Sequence, residues 1–289
     1  MFSIIIPSLN NLTYLKICLE SIKKNSKFNH EIIVHVNIGS DGTIKYLEEN
    51  KIKFTYTEIN SGIPKGVNIA AKNATRDYIV YAHDDFYFLP GWDTIFYEEI
   101  KKIPNNLYYL SGTMVQNGQV SLDCGSDLES FDEIKLLKEY QNIDYHDFQG
   151  STWAPHLIHK STWNEVGGFS EEYFPGTGSD PDLNMKLWKL GVRIFKGLQH
   201  CKVYHFGSIV TRKYKDDANI ITESGSKGGK IFLLKWGITI KFFKKFIMKS
   251  DTEFKGELKE PTKNINYYIS LLISKINFFY VKYVYKIKS

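Results

Sequence analysis

The stretch Tyr78–Trp92, YIVYAHDDFYFLPGW, constrains the fold more than any other part of the chain. The apolar run Tyr78-Ile79-Val80-Tyr81-Ala82 is long enough for one strand and shows no polar alternation. That is the pattern of a strand covered on both faces, as in a parallel sheet. The run breaks into His83-Asp84-Asp85, and Pro90-Gly91 closes the turn that follows. Carboxylates at the carboxyl end of such a strand sit where open α/β sheets bind their ligands. Two Asp and a His form a hard, oxygen-rich group suited to Mg2+ or Mn2+, ions that usually hold substrate phosphates. Asp-Asp alone is equally well a polar turn, so the surrounding pattern must decide.

That pattern is a strand–helix alternation. Ser3 to Pro7 reads as a first strand, and Leu12, Leu15, Leu19 and Ile22 mark a helix over 12–24. Glu31 to Val36 is a second strand ending in the polar turn Asn37-Ile38-Gly39-Ser40-Asp41-Gly42-Thr43. A short helix (44–50), a strand (54–58) and a helix (65–73) lead to the run that ends at His83. This rhythm predicts a mostly parallel, Rossmann-like sheet with right-handed crossovers. Further on, the expected elements are a helix over 92–103, a strand over 107–115 and a loop or edge helix over 123–143. A helix follows Gly176-Thr177-Gly178-Ser179-Asp180-Pro181-Asp182, and two short strands are expected at 192–196 and 202–205.

The chain has 289 residues, enough for one sizeable α/β domain and an extension. Cys18, Cys124 and Cys201 are scattered and odd in number, which argues against a disulfide framework or a Cys-type zinc site and fits a reducing, cytoplasmic setting. No secretory leader is expected, because Ser3-Ile4-Ile5-Ile6 runs straight into Pro7 without a charged region before it. The net charge of +5 is uneven: residues 231–289 hold 12 Lys against 4 acidic residues, which leaves −3 on the rest. Within that tail, 231–248 and 265–287 mix aliphatic, aromatic and Lys residues. Such segments either lie in a membrane interface or pack their apolar side on the body with Lys outward. Basic residues among aliphatics, on no recognisable motif, argue against nucleic-acid binding. A nicotinamide dehydrogenase is disfavoured, since no G-x-G-x-x-G follows any strand.

Four pieces stand in order along the chain: Ser3 to Asn10; Asn60-Ser61-Gly62 through Asn68; His83-Asp84-Asp85 with Pro90; and Gly167-Gly168-Phe169 through Ser179-Asp180-Pro181-Asp182-Leu183 to Gly191. This ordered set resembles the inverting family 2 glycosyltransferases of GT-A fold, over roughly residues 2–212. The resemblance implies a GT-A domain over 1–212, divided into a nucleotide-sugar half (1–110) and an acceptor half (111–212), with 213–289 a basic, aromatic-rich helical extension. It also implies a role for each matching position. Pro7, Ser8 and Asn10 would line the nucleotide pocket. Asn37 and Ile38 stand where relatives usually carry Asp residues, the first of which reads uracil. Asn60, Gly62 and Asn68 match the donor-binding helix entry, with Gly66 and Val67 in place of the usual Ala-Arg. Asp84 would contact the ribose and Asp85 the metal, Mn2+ or Mg2+. His83 would be a metal ligand or a diphosphate donor.

Asp180 matches the family's catalytic base, which would take the acceptor hydroxyl's proton during a single inverting displacement, giving a β-linkage from an α-linked donor. Its alternative is an N-cap of the following helix, with Pro181 at the first helical position. His205 matches a further metal or diphosphate ligand, or is a core imidazole. Trp153 and His156 fall where relatives line the acceptor site, and His35 reads as structural. Lys235-Trp236-Gly237 resembles a tail seen in bacterial relatives, with no role that the residues themselves suggest. The implied partners are a nucleotide-sugar donor, first of all a UDP-sugar, and a glycan or lipid-linked acceptor at the inner face of the cytoplasmic membrane. The competing reading is a non-catalytic member that binds nucleotide or glycan, suggested by Asn37, Ile38 and His83.

Overall fold

The computed structural model describes residues 1–150, 154–207 and 218–284. The apolar runs become the strands of one sheet. β1 (Ser3–Leu9), β2 (Glu31–Asn37), β3 (Lys53–Thr57) and β4 (Tyr78–Tyr81) alternate with helices α1 (Leu12–Asn25), α2 (Thr43–Glu49) and α3 (Gly62–Ala71). β3–β2–β1–β4 are side by side and all parallel. Ile4, Ile5, Ile6, Ile33, Val34, Ile79 and Val80 are buried between the helical layers, as strands without polar alternation require.

Beyond β4 the sheet is mixed. β5 (Phe86–Phe88), α4 (Trp92–Ile100), β6 (Tyr108–Val115), α5 (Glu133–Glu139), β7 (Phe148–Gln149), β8 (His156–His159), α6 (Lys160–Glu165), α7 (Ser179–Leu190) and β9 (Ile194–His205) follow in chain order. β8 joins β4 antiparallel, and β6, β9 and β5 complete the order β3-β2-β1-β4-β8-β6-β9-β5, with β7 on β9. One sheet therefore runs through both expected halves, and the 110/111 division falls inside β6.

Two expectations need correction. The strands expected at 192–196 and 202–205 are one strand, β9. Gly112 pairs with Leu198 and the next residue, Thr113, pairs with Lys202, so Gln199, His200 and Cys201 bulge out of the ladder. The polar interruption in the sequence is that bulge. β5 was not foreseen, because three residues between Asp85 and Pro90 offer too short a pattern to read.

The tail folds onto the body. Gln149 N–H donates to Thr252 O (2.7 Å), Phe254 N–H to Asp147 O (2.7 Å) and Leu258 N–H to Arg193 O (2.9 Å). Phe232, Phe242, Phe243 and Met248 are buried in the main core, so the 231–248 stretch turns its aromatic residues inward rather than toward a lipid surface. The helix Ile265–Phe279 packs Tyr267, Leu271 and Ser274 against this layer, where Thr239 N–H donates to Ser274 Oγ (3.3 Å). No helix among the described residues is long and apolar enough to cross a membrane.

Candidate functional site

Chain order reverses between β1 and its neighbour β4: β2 and β3 lie to one side of β1, and β4 lies on the other. The crevice at the carboxyl ends of two such strands is the binding position of open parallel sheets. Here the Ser8 hydroxyl donates to Asp84 Oδ2 (2.7 Å), tying the end of β1 to the end of β4. Burial and the neighbouring Asp85 carboxylate push the Asp84 carboxyl well up from its ordinary range, against the pull of Ser8. Pro7 and Ser8 are buried in the strand. Asn10, at φ +46, accepts Ser40 N–H on Oδ1 (2.9 Å), and Asp41 accepts Leu12 N–H (2.8 Å), so the loops after β1 and β2 are tied together.

His83, Asp85 and His205 bring one ligating atom each to within 4.8 Å of one another. The antiparallel pairing of β5 with β9 sets this meeting: Phe86 pairs with His205, and Phe206 N–H donates to Asp85 O (3.2 Å). His205 Nδ1 faces Asn117 O at 3.2 Å, and its Nε2 points at Asp85 Oδ2, 3.4 Å away. Nε2 is buried and has no hydrogen-bond partner among the described residues. With the Nδ1 proton given to a carbonyl, Nε2 presents a lone pair, the usual preparation of a metal-binding imidazole. Burial lowers the His83 pKa to about 4 despite Asp85, so this ring is neutral at pH 7. An ion with bonds of about 2.1 Å sets opposite ligands roughly 4.2 Å apart and adjacent ones roughly 3 Å apart, so these three groups would close in on one another to hold a single divalent cation.

Asp180 comes from a different part of the chain. Gly178, at φ +91, is the N-cap of α7, and Asp180 lies inside the first turn, where its own backbone N–H steadies the carboxylate. The N-cap reading of Asp180 is therefore wrong, and its carboxyl is free of that duty. Oδ1 lies 3.9 Å from His156 Nδ1, and the side chain keeps 33% of its surface exposed. Protein on the remaining sides raises its pKa to about 7. His156 on β8 pairs with Tyr81 at the end of β4, and the Tyr81 ring also lies 5.4 Å from that of His83. The buried Tyr81 phenol is pushed far up by burial and by Asp180, Asp84 and Asp85 together. The charges of Asp84, Asp85 and Asp180 thus act on the same tyrosine, although about a hundred residues separate the first two from the third in sequence.

Several residues expected to meet the donor have partners inside the protein. Asn37 Oδ1 accepts from Ser61 N–H (2.8 Å) and Ser61 Oγ (2.8 Å), which fixes the approach to α3. Asn60 Oδ1 accepts Gly62 N–H (2.9 Å). Gly62 sits at φ +77, and a Cβ there would lie 2.8 Å from the Phe174 ring. Asn68 grips the backbone of Phe169 with both ends of its amide (2.9 Å each), a clamp between α3 and the Gly167-Gly168 turn. Gly66 in place of the relatives' Ala has a local reason: a Cβ at 66 would lie 2.5 Å from the buried ring of His35. Trp153 lies outside the described residues.

Sequence reasoning missed Tyr81, hidden inside an apolar run, and Asn117, whose only signal was the turn-like Gln116-Asn117-Gly118. It also gave no role to Lys235 and Trp236. Asp182, fully buried, accepts from Ser170 Oγ (2.6 Å), Tyr173 OH (3.2 Å) and Trp236 Nε1 (2.8 Å), and pairs with Lys235 Nζ (3.0 Å).

Comparison with known proteins places this geometry. A glycosyltransferase of Haemophilus influenzae, described as uncharacterized, is 27% identical over 109 residues, 36% of this chain and 36% of that protein; the match spans about a third of each. Among solved structures, residues 1–349 of S. aureus TarS superpose with a TM-score of 0.58 at 16% identity, over 99% of this chain and 74% of that one. The same protein in complex with UDP-GlcNAc gives 0.57 at 14% identity, over 99% and 75%. GalNAc-T7 with UDP, GalNAc and Mn2+ gives 0.54 at 14% identity, over 71% and 43%. These likenesses establish the GT-A fold. The model of the family described as glycosyl transferase family 2 matches residues 3–161, more than half of the sequence, and the chain belongs to that family.

Proposed function

We propose that the protein is a divalent-metal-dependent, inverting glycosyltransferase that moves a sugar from a UDP-sugar to a hydroxyl of a glycan or lipid-linked acceptor. The observation that supports this reading is the convergence of His83, Asp85 and His205 on one point, with Asp180 against His156 on the strand next to β4. Asp85, His83 and His205 would hold the ion, which when bound supplies positive charge against the diphosphate leaving group. Two imidazoles and one carboxylate suit Mn2+ better than Mg2+, which prefers an all-oxygen shell. The GT-A neighbours solved with UDP, UDP-GlcNAc, or UDP with Mn2+ support the same donor class.

Asp84, which accepts from Ser8, would contact the ribose. Asp180 takes the proton of the acceptor hydroxyl as that oxygen attacks the anomeric carbon. The bond from that carbon to the diphosphate oxygen breaks on the opposite side, so configuration inverts. A carboxyl with its pKa near 7 is matched to accept a proton at neutral pH. His156 flanks Asp180, as an acceptor-side residue would.

In this reading the helix Ile265–Phe279 is a peripheral membrane contact that brings the protein to a lipid-linked acceptor. Ile265, Ile269, Leu272, Ile276 and Phe279, with Tyr283 beyond them, form one outward stripe, each more than half exposed, flanked by Lys275 and Lys282. The test of the whole reading is a screen of UDP-sugars with Mn2+ for turnover, run beside Asp180→Asn. Turnover in the parent, with retained UDP binding but no turnover in the variant, is expected. Full activity of Asp180→Asn overturns the base assignment. UDP binding without turnover across donors and acceptors favours a binding-only member, the reading that Asn37 and Ile38 at the Asp positions suggest.

A further inference from the structure

We propose that Lys235 and Trp236 are positioning residues for Asp180, so that the C-terminal extension completes the site it packs against. The inference rests on Asp180 as the acceptor-side base.

Asp180 and Asp182 are two residues apart on one helix, and at 100° per residue their side chains leave α7 about 200° apart. Asp180 faces His156; Asp182 faces the tail helix Ala218–Trp236. A carboxylate with no exposure must be fully supplied with donors, and removing one leaves an uncompensated buried charge. Two of the four donors to Asp182, Trp236 Nε1 and Lys235 Nζ, come from the tail helix. Lys235 also reaches Glu172 (3.0 Å) and Ser170 Oγ (2.9 Å), on the segment that leads into α7.

A second grip lies just upstream of Asp180. A Cβ on Gly228 of the tail helix would be 2.0 Å from Thr177 O, so helix backbone lies directly against the turn that caps α7. Glycine in a helix interior is unfavourable unless close approach requires it. The adjoining Gly229 has nothing within 4 Å of its would-be Cβ, which isolates the requirement to Gly228. Asp180 is therefore bracketed, at 177–178 and at 182, by one tail helix.

The experiment uses the full chain, with UDP-GlcNAc as donor, water as acceptor and Mn2+ present. It compares Trp236→Phe, Lys235→Met, Lys235→Arg, Gly228→Ala and Gly229→Ala, and records UDP affinity and amide exchange of residues 178–184 on the same samples. A misplacement of about 1 Å can cost 10²-fold, so Trp236→Phe, Lys235→Met and Gly228→Ala should lower kcat by about 10- to 100-fold, with UDP affinity and donor KM within about twofold. Exchange over 178–184 should quicken in those three variants, Lys235→Arg should restore most of the rate, and Gly229→Ala should behave as the parent. Parental kcat and exchange in Trp236→Phe and Lys235→Met overturn the proposal. So does a joint fall of kcat and UDP affinity, the mark of general loosening. If Asp180→Asn is inactive while these variants keep the parental rate, only the positioning role fails. If Asp180→Asn is fully active, the base assignment fails and the positioning role with it. Should UDP-GlcNAc give no turnover, amide exchange over 178–184 decides.

Discussion

His205 Nε2 lies 3.4 Å from Asp85 Oδ2 with its other nitrogen turned to the carbonyl of Asn117, although 120 positions separate the two residues in sequence. Nε2 is buried and has no hydrogen-bond partner among the described residues, which suits it to a ligand role. His205→Ala should weaken Mn2+ binding by about 10- to 100-fold while the fold persists. Calorimetric titration of Mn2+ in the presence of UDP checks this, and unchanged Mn2+ affinity would remove His205 from the ligand set.

Asp180 should impose a rising pH limb on turnover. Its carboxyl titrates at about 7 and must be ionised to accept a proton, so kcat/KM should climb as pH passes through about 7 and level off above it. The groups that face it are His156 at 3.9 Å, Lys244, which favours the charged form, and the buried phenols of Tyr81 and Tyr109.

The same group has a signed effect on stability. A carboxyl whose folded pKa of about 7 exceeds its unfolded value of about 4 binds more protons folded than unfolded between those values, so stability falls as pH rises across that window. Asp180→Asn removes this cost. The variant should melt above the parent at pH 8, with the difference fading at pH 4. A thermal-melt series from pH 4 to 8 measures it, and a pH-independent difference would count against the raised pKa.

Ile38 occupies the left-handed backbone region at φ +68, an unfavourable place for a β-branched residue. Asn and Asp tolerate this conformation better. Ile38→Asn should therefore stabilise the protein by about 1 kcal/mol. A lower melting temperature would show that packing of the Ile38 side chain outweighs the backbone strain.

The stripe on Ile265–Phe279 should bind anionic vesicles. Co-sedimentation with phosphatidylglycerol vesicles should be lost in Leu272→Glu/Ile276→Glu and weakened by salt, because Lys275 and Lys282 act through screened charge. Equal pelleting of variant and parent would remove this face from consideration. Concentration-dependent dimerisation abolished by the same pair would assign the face to a second copy.

The amino-acid sequence alone determined what local patterns can express. Apolar runs of strand length, helical spacing and turn residues gave the β1–β4 alternation. The order of short motifs pointed to the family and to Asp85 and Asp180. Those features depend on residues close together in the chain, where period and composition are direct consequences of backbone geometry.

Tertiary structure alone decided the rest. Residues 194–205 are one bulged strand because their partner β6 skips three of them, which cannot be read from one strand. Asn68 is a clamp because the backbone of Phe169, 101 residues away, meets it. Lys235 and Trp236 acquired a role only when a buried carboxylate on α7 was found between them and the body. The physical reason is common to all three: a polar side chain's partner is set by proximity in space, and desolvation makes that partner matter most where the chain is deepest.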